Sequence, residues 1–468
     1  MRLTPLALVV ALVGVTSAGA ATTTPGPVVP FPVEYYGYMN IDATYDSNMF
    51  YAIRGDPTKD RSLQPLIIWL QGGPGATSLF GDLLENGPTK LELANNSQGY
   101  ALVPRNHSWT KHATMLYIDN PIGTGFSFTR DPRGFSTTDS GIADNLVAFV
   151  RGFMIRHPEF MSRPLWVFCE SYGGKMTAYF GAALVKAIKA KTVRANFKGV
   201  ALGDGWVDPI GCMYSYGKYL YSLSEMSAAE ADNVTKYAAY AQDALERGNG
   251  TEATNWWGVQ QGVISYFTAN VNWYNVMTNY DYTADGQLNT YLAGPFTQKL
   301  GPLIPPNVSY GGQGNDVFNF MQGSFMFDGV HQVQEMIDAG VSVNVYGGQI
   351  DLIVDTICIQ KWISKLEWSD LPVFWQQPRI PIYPPVCPNF NCNVKGFVQR
   401  YKNFAYWQVM GAGHMVPLDQ PWTAETMMKM IIGAEGQEEA PPDTAGSQKL
   451  HRRGSSDGHL WMRPASKP

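Results

Sequence analysis

The stretch Leu165-Trp166-Val167-Phe168-Cys169-Glu170-Ser171-Tyr172-Gly173-Gly174-Lys175 decides the fold. Its opening apolar residues show no polar alternation, which is the pattern of a strand buried on both faces. Ser171 follows that strand directly, and glycines come next, ahead of helix-like text. A serine at so sharp a strand-to-helix turn is held in a strained backbone that exposes its hydroxyl, and its neighbours have to be small. Cys169 stands where such an elbow usually carries its leading glycine. The plainer alternative is an ordinary turn with an N-capping serine.

Outward from this point, further apolar runs alternate with helical ones. LIIWL (66–70), TMLYID (114–119) and FKGVALG (197–203) read as strands, and DNLVAFVRGFMIRH reads as a helix. Strands of this kind alternating with helices predict a mostly parallel sheet covered on both faces, an α/β architecture. The alternation is expected over 35–203. It stops over 204–315, where amphipathic text (SAAEADNVTKYAAYAQDALE) and the aromatic residues Trp256, Trp257 and Trp273 predict an inserted, mainly helical cap. These tryptophans read first as core and alternatively as the lining of a substrate pocket. Core text resumes over 316–435, with VSVNVY (341–346), FAYWQVM (404–410) and a helix near Trp422 to Ile432, and residues 436–468 read as a disordered tail.

Met1-Arg2, an apolar run and Ala18-Gly19-Ala20 form the pattern of a signal peptide over 1–20, followed by a Pro/Thr-rich segment over 21–34. Secretion is therefore expected, with a vacuole or lysosome-like compartment as the alternative destination. Asn95, Asn106, Asn233, Asn249 and Asn307 become candidate glycan acceptors. Of five cysteines one stays unpaired; Cys387 and Cys392 flank a short loop and suit a local bridge, which leaves Cys212 with Cys358 and Cys169 free, although four cysteines permit other pairings. The formal net charge of -5 carries no basic stripe for nucleic acid and no polybasic membrane patch. No later run is long enough to span a membrane. Neither HExxH nor a Cys/His cluster is present, so no metal and no cofactor is expected.

A serine needs a base, and the base needs an orienting acid. Seven histidines occur. His451 and His459 lie in the tail, His331 in helical text, and His107, His112 and His157 precede the serine. His414 remains, in GAGHMVP after a strand, where catalytic groups of α/β sheets gather. Asp351 in YGGQIDLIVD is the expected acid and Asp355 the alternative. WLQGGPG (69–75) ends a strand in a glycine turn, so the N–H groups of Gly73 and Tyr172 form the expected oxyanion hole.

WLQGGPG, CESYGG, YGGQID and GAGHMVP, in this order, resemble the motifs of the serine carboxypeptidase family, and ENGP (85–88) and IDNPIGTGFS (118–127) resemble two further blocks. The resemblance implies an α/β-hydrolase fold and an exopeptidase acting on peptide or protein C-termini through Ser171, Asp351 and His414. It also implies that Trp69, Gln71, Glu85 and Glu170 hold the substrate's terminal carboxylate. A carboxylate beside two carboxyls binds only with shared protons, which implies raised pKa values and acid-favoured activity. Gln71 departs from the family's asparagine, Gln349 from its first aspartate in G-D-x-D, and Ala76 from a half-cystine after G-P-G. An acyltransferase or esterase, and a secreted non-catalytic homologue, are the alternative readings.

Overall fold

The computed structural model describes residues 34–58, 64–93, 99–278, 282–385 and 392–434. The expected signal peptide, Asn95, Cys387 and the tail lie outside them. Twelve strands occur among the described residues: β1 (Glu34–Asp42), β2 (Ser47–Arg54), β3 (Leu66–Leu70), β4 (Thr89–Leu93), β5 (Tyr100–Pro104), β6 (Thr114–Ile118), β7 (Pro164–Glu170), β8 (Asn196–Gly203), β9 (Ser342–Gly348), β10 (Ile380–Ile382), β11 (Gly396–Tyr401) and β12 (Phe404–Val409). Ten of them form one sheet in the order β1-β2-β6-β3-β7-β8-β9-β12-β11-β10, and β4 pairs with β5 separately. From β6 through β12 in that order the pairings are parallel, while each edge is finished by antiparallel strands.

The central strands fall where continuous apolar text places them, because helices cover both faces and leave no position for water-facing alternation. β3 and β6 are buried at every residue. Two apolar clusters result, one on each face of the sheet, and Leu66, Ile68 and Leu70 of β3 enter one while Ile67 and Trp69 enter the other. β1, β2, β10 and β11, the antiparallel strands at the two ends of the sheet, were not expected from the sequence; β1, β2 and β11 mix polar and aromatic residues, and β10 is three residues long.

Helix α1 (Asp139–Arg156) starts at Thr138, whose hydroxyl accepts from the Gly141 N–H. Helix α2 (Tyr172–Lys189) starts immediately after Ser171. Lys175 on α2 is fully buried; its Nζ donates to the carbonyls of Ser324, Phe325 and Phe327 at 2.9, 2.9 and 3.0 Å and lies 3.4 Å from Asp139 Oδ2. This ties α2 to the segment that returns from the insert.

Between β8 and β9 the chain is helical, with long helices at Ala228–Glu246 and Gly250–Phe267. The first begins at a capping box in which Ser227 and Glu230 satisfy each other's backbone N–H. Val234, Ala238 and Ala241 pack into the same apolar cluster as the sheet, so the insert shares the core instead of sitting on top of it. Two expected boundaries shift. Glu34 belongs to β1, because its pairing with Arg54 extends the hairpin. The expected division between residues 315 and 316 falls inside the helix Gly314–Met321, whose apolar side, Val317 and Met321, is buried.

Candidate active site

Ser171 has φ 63° and ψ -130°, a conformation that costs a non-glycine residue about 1–3 kcal/mol and persists only where the surroundings hold it. Here they do. Its N–H donates to the Gly203 carbonyl at 3.0 Å, and its own carbonyl accepts from Gly174 and Trp206, both at 2.8 Å. A Cβ on Gly173 would lie 2.4 Å from the Leu70 carbonyl oxygen, so the elbow closes only over a glycine. Cys169 fits in place of the usual leading glycine because its thiol turns toward β8 and contacts the Ala201 carbonyl at 3.4 Å.

His414 Nδ1 lies 2.8 Å from Asp351 Oδ2. Asp351 also accepts from the N–H groups of Ile353 (3.0 Å) and Val354 (3.3 Å), which fixes the carboxylate at the C-terminal end of β9. Asp355, the alternative acid, instead accepts from Ile357 and Cys358 as the cap of the helix Thr356–Ile363, and from the Ser215 hydroxyl. The other imidazole nitrogen, Nε2, is buried without a hydrogen bond, and His414 and Ser171 line one cavity of about 410 Å³. The His414 N–H donates to the Tyr274 carbonyl at 2.7 Å, and Gly413 passes so close that a Cβ would lie 2.2 Å from that oxygen. The Gly413 N–H and the Asn275 amide both donate to Asp419. Thus the insert and the loop after β12 together hold the histidine.

The 71–76 loop lies against the elbow: a Cβ on Gly72 would be 2.4 Å from Ser171 Cβ and 2.8 Å from the Tyr172 nitrogen. Tyr172 opens α2, so its N–H is one of the four that an α-helix leaves without an internal acceptor. Gly73 and Tyr172 both line the cavity. Where relatives of this sequence were expected to anchor the loop by a half-cystine, Asp119 does so here. It accepts from the Thr77 hydroxyl at 2.6 Å, the Ser78 N–H at 3.0 Å and the Phe126 N–H at 2.9 Å, and burial pushes its carboxyl up to about 6.

Behind the loop runs a polar chain through an apolar wall. Trp69 Nε1 donates to Gln71 Oε1 at 2.8 Å, and Gln71 Nε2 donates to Glu170 Oε1 at 2.6 Å. Glu85, in the helical turn Gly81–Asn86, is buried beside Glu170. Burial raises Glu85 to about 7, with a hydrogen bond to Glu170 opposing the rise. Burial also pushes Glu170 well above the carboxylate range, and the charge of Glu85 pushes it further. The pair therefore carries protons where isolated glutamates would not. Gln349 is not part of this chain: its Oε1 accepts from the Gly411 N–H at 3.3 Å.

Ser171, His414 and Glu170 line one cavity, with Asp351 bonded to the imidazole and Glu85 buried beside Glu170. The model of the family described as serine carboxypeptidase matches residues 25–434. The chain belongs to the serine carboxypeptidase family. The human retinoid-inducible serine carboxypeptidase is 35% identical over 88% of this chain and 94% of its own. The vitellogenic carboxypeptidase of Aedes aegypti is 30% identical over 86% of this chain and 84% of its own. A prohormone-processing carboxypeptidase from Saccharomyces cerevisiae shares the fold, with a TM-score of 0.73 over 86% of this chain and 91% of its own at 19% identity. The fold is that of an α/β-hydrolase, and this serine carboxypeptidase is a hydrolase of peptide bonds.

The carboxypeptidase joins Cys212 to Cys358 in a disulfide, Cys169 is free and buried, and Cys392 is disulfide-bonded. Asn106, Asn249 and Asn307 are exposed and Asn233 is half-buried. Asn249 caps the helix Gly250–Phe267, accepting from the Glu252 N–H. Trp257 lines the cavity, whereas Trp256 packs on Tyr240 and Trp273 on Tyr216. Among the described residues no helix is long and apolar enough to cross a membrane. Sequence reasoning missed Tyr274, which holds the His414 loop through its backbone carbonyl, and Asn275 and Asp419, which hold it through their side chains. It also missed Asp204, a charge directly after β8 that its position could have flagged.

Proposed function

We propose that this carboxypeptidase removes single residues from peptide C-termini through an acyl-enzyme on Ser171. In this reading His414 takes the Ser171 proton as the hydroxyl attacks the carbonyl of the penultimate residue, and Asp351 holds the imidazole in the tautomer that accepts at Nε2. The N–H groups of Gly73 and Tyr172 receive the developing oxyanion. His414 then gives its proton to the leaving amine. Water, activated by the same imidazole, releases the shortened peptide and restores Ser171. The His414 Nδ1 to Asp351 Oδ2 contact of 2.8 Å, beside the strained serine, is the observation that carries this assignment.

Exopeptidase specificity rests on the carboxyl cluster. A terminal carboxylate entering beside Glu85 and Glu170 is accepted if the pair supplies a proton, and the raised pKa values provide one at acidic pH. Trp69 and Gln71 hold the pair in place from behind. The chain reaches its site of action through the secretory route, a reading supported by the N-terminal sequence pattern and the Cys212–Cys358 disulfide.

The test compares amino-acid release from an N-blocked dipeptide and from its C-terminal amide between about pH 4 and about pH 8, the range over which such carboxyls titrate. Acid-favoured release from the free-carboxylate substrate, absent in Ser171→Ala, is the expected outcome. Equal rates on the amide would remove the carboxyl cluster from recognition, and full activity in Ser171→Ala would remove the triad.

A further inference from the structure

We propose that Asp204 positions the triad: as a neutral acid it donates a hydrogen bond to Asp351 and so fixes the carboxylate that orients His414. The proposal rests on the triad reading above and extends it by one residue.

Asp204 follows β8 as Ser171 follows β7, so both leave the sheet on the same side. It adopts φ 40°, its N–H donates to the Tyr346 carbonyl at 2.8 Å, and its Oδ1 accepts from the Gly348 N–H at 2.8 Å. Backbone and one carboxyl oxygen are thereby pinned to β9, the strand that carries Asp351 at its end. The second oxygen, Oδ2, is buried and lacks a partner as long as it bears no proton. Asp204, Asp351 and His414 place polar atoms within 4.8 Å of one another, all three side chains being buried.

Two carboxylates this close and this deep do not both stay charged. Asp351 already accepts from His414 Nδ1 and from two backbone N–H groups, so it is the member suited to the negative charge. Asp204 has a single backbone donor. Of the groups facing it, the carboxyls of Asp351 and Asp419 add to the bias, while Glu170, the phenols of Tyr219, Tyr346 and Tyr406 and the Cys169 thiol are held in their neutral forms by burial, and His414 supplies the one imidazole. Burial first, and then the charge of Asp351, hold the Asp204 carboxyl well above the usual range. A proton on Oδ2 finds its acceptor in Asp351, which completes the hydrogen-bonding of both carboxyls. An acid kept neutral by its surroundings in order to donate is a known device of active sites.

The test uses full-length Asp204→Ala and Asp204→Asn with an N-blocked dipeptide, alongside Ser171→Ala. Asparagine reproduces the acid's shape, accepts from Gly348 with its carbonyl and donates to Asp351 with its amide, at any pH. For Asp204→Ala, kcat is expected to fall about tenfold or more with KM within about twofold, the size of a lost hydrogen bond to a charged group. Asp204→Asn is expected to restore kcat to within about threefold and to hold its activity further into the alkaline range than wild type. The rate at which a fluorophosphonate labels Ser171, which needs no bound carboxylate, is expected to follow kcat in both variants. An Asp204→Ala enzyme that melts like wild type and keeps its kcat, or an Asp204→Asn enzyme as impaired as Asp204→Ala, would overturn the proposal. Activity surviving in Ser171→Ala would instead overturn the triad reading beneath it, whatever the Asp204 variants do.

Discussion

Gln71 Nε2 donates to Glu170 Oε1 over 2.6 Å, and through this bond the strand that leads to the 71–76 loop is fastened to the strand that leads to Ser171. Glu170 precedes Ser171 in sequence, so in the proposed mechanism the group that recognises a substrate's end and the group that attacks it share one turn. A shift of either is felt by both.

The protonation of the glutamate pair sets the first expectation. Burial raises Glu85 to about 7 and pushes Glu170 well above the carboxylate range, so KM for a free-carboxylate substrate is expected to rise as pH climbs through about 7, by up to about tenfold per pH unit where one proton is required. Glu85→Gln is expected to flatten that rise. Steady-state kinetics across pH on wild type and variant measures it, and an unchanged KM profile in the variant would count against the shared proton.

The same groups bear on stability. A carboxyl whose folded pKa lies above its unfolded value favours the native state at low pH, and that contribution is lost as pH rises through the folded value. For Glu85 the loss falls between about 4.5 and about 7. Thermal melts of Glu85→Gln are therefore expected to decline less over that window than those of wild type.

Shortening Gln71 to asparagine withdraws the amide from one of its neighbours, Trp69 or Glu170. A buried donor left unpaired costs about 1–3 kcal/mol. Gln71→Asn is expected to lower the unfolding midpoint in urea and to raise KM, with kcat changed less. A variant as stable as wild type would show that the loop closes over the shorter side chain.

Gly72→Ala brings a methyl into the space of Ser171 Cβ and moves the loop that carries Gly73. Loss of one oxyanion donor lowers kcat by about 10²–10³. A drop of that order is expected, together with a near-native melting curve, because the strain falls on a short loop and not on the core.

The cavity's lining includes the aromatic and aliphatic side chains of Trp206, Trp257, Phe325 and Ile353, and among its described lining residues Glu170 is the one carboxyl and His414 the one imidazole. Apolar penultimate residues are expected to be hydrolysed faster than charged ones. Trp257→Ala is expected to narrow that difference by about 10–200-fold in kcat/KM, the size of a lost apolar contact. A panel of blocked dipeptides varied at the penultimate position reads it.

The parallel core was legible because burial on both faces leaves only apolar letters, and β3, β6, β7 and β8 fall where those letters run. The antiparallel strands β1, β2, β10 and β11 at the ends of the sheet escaped notice because they are short or interrupted by polar residues and lack the continuous apolar run of the centre. Ser171, Asp351 and His414 stood out because each sits just past a strand end in chain order. Tyr274 and Asp419 did not, since a backbone carbonyl has no letter of its own and an aspartate in a loop usually caps a turn. Asp204 lay between two readings: the strand before it was recognised, but its charge was passed over at a depth where charge is costly.

The Tyr274 carbonyl that receives the His414 N–H belongs to the insert, while the histidine belongs to the final part of the chain. The insert is thus a structural parent of the proposed base and not an interchangeable roof. Any recombination that exchanges this region between relatives, in a laboratory or in a genome, carries the histidine's support along with the pocket wall. New specificity obtained that way arrives with an altered engine, and the two would have to be retuned together.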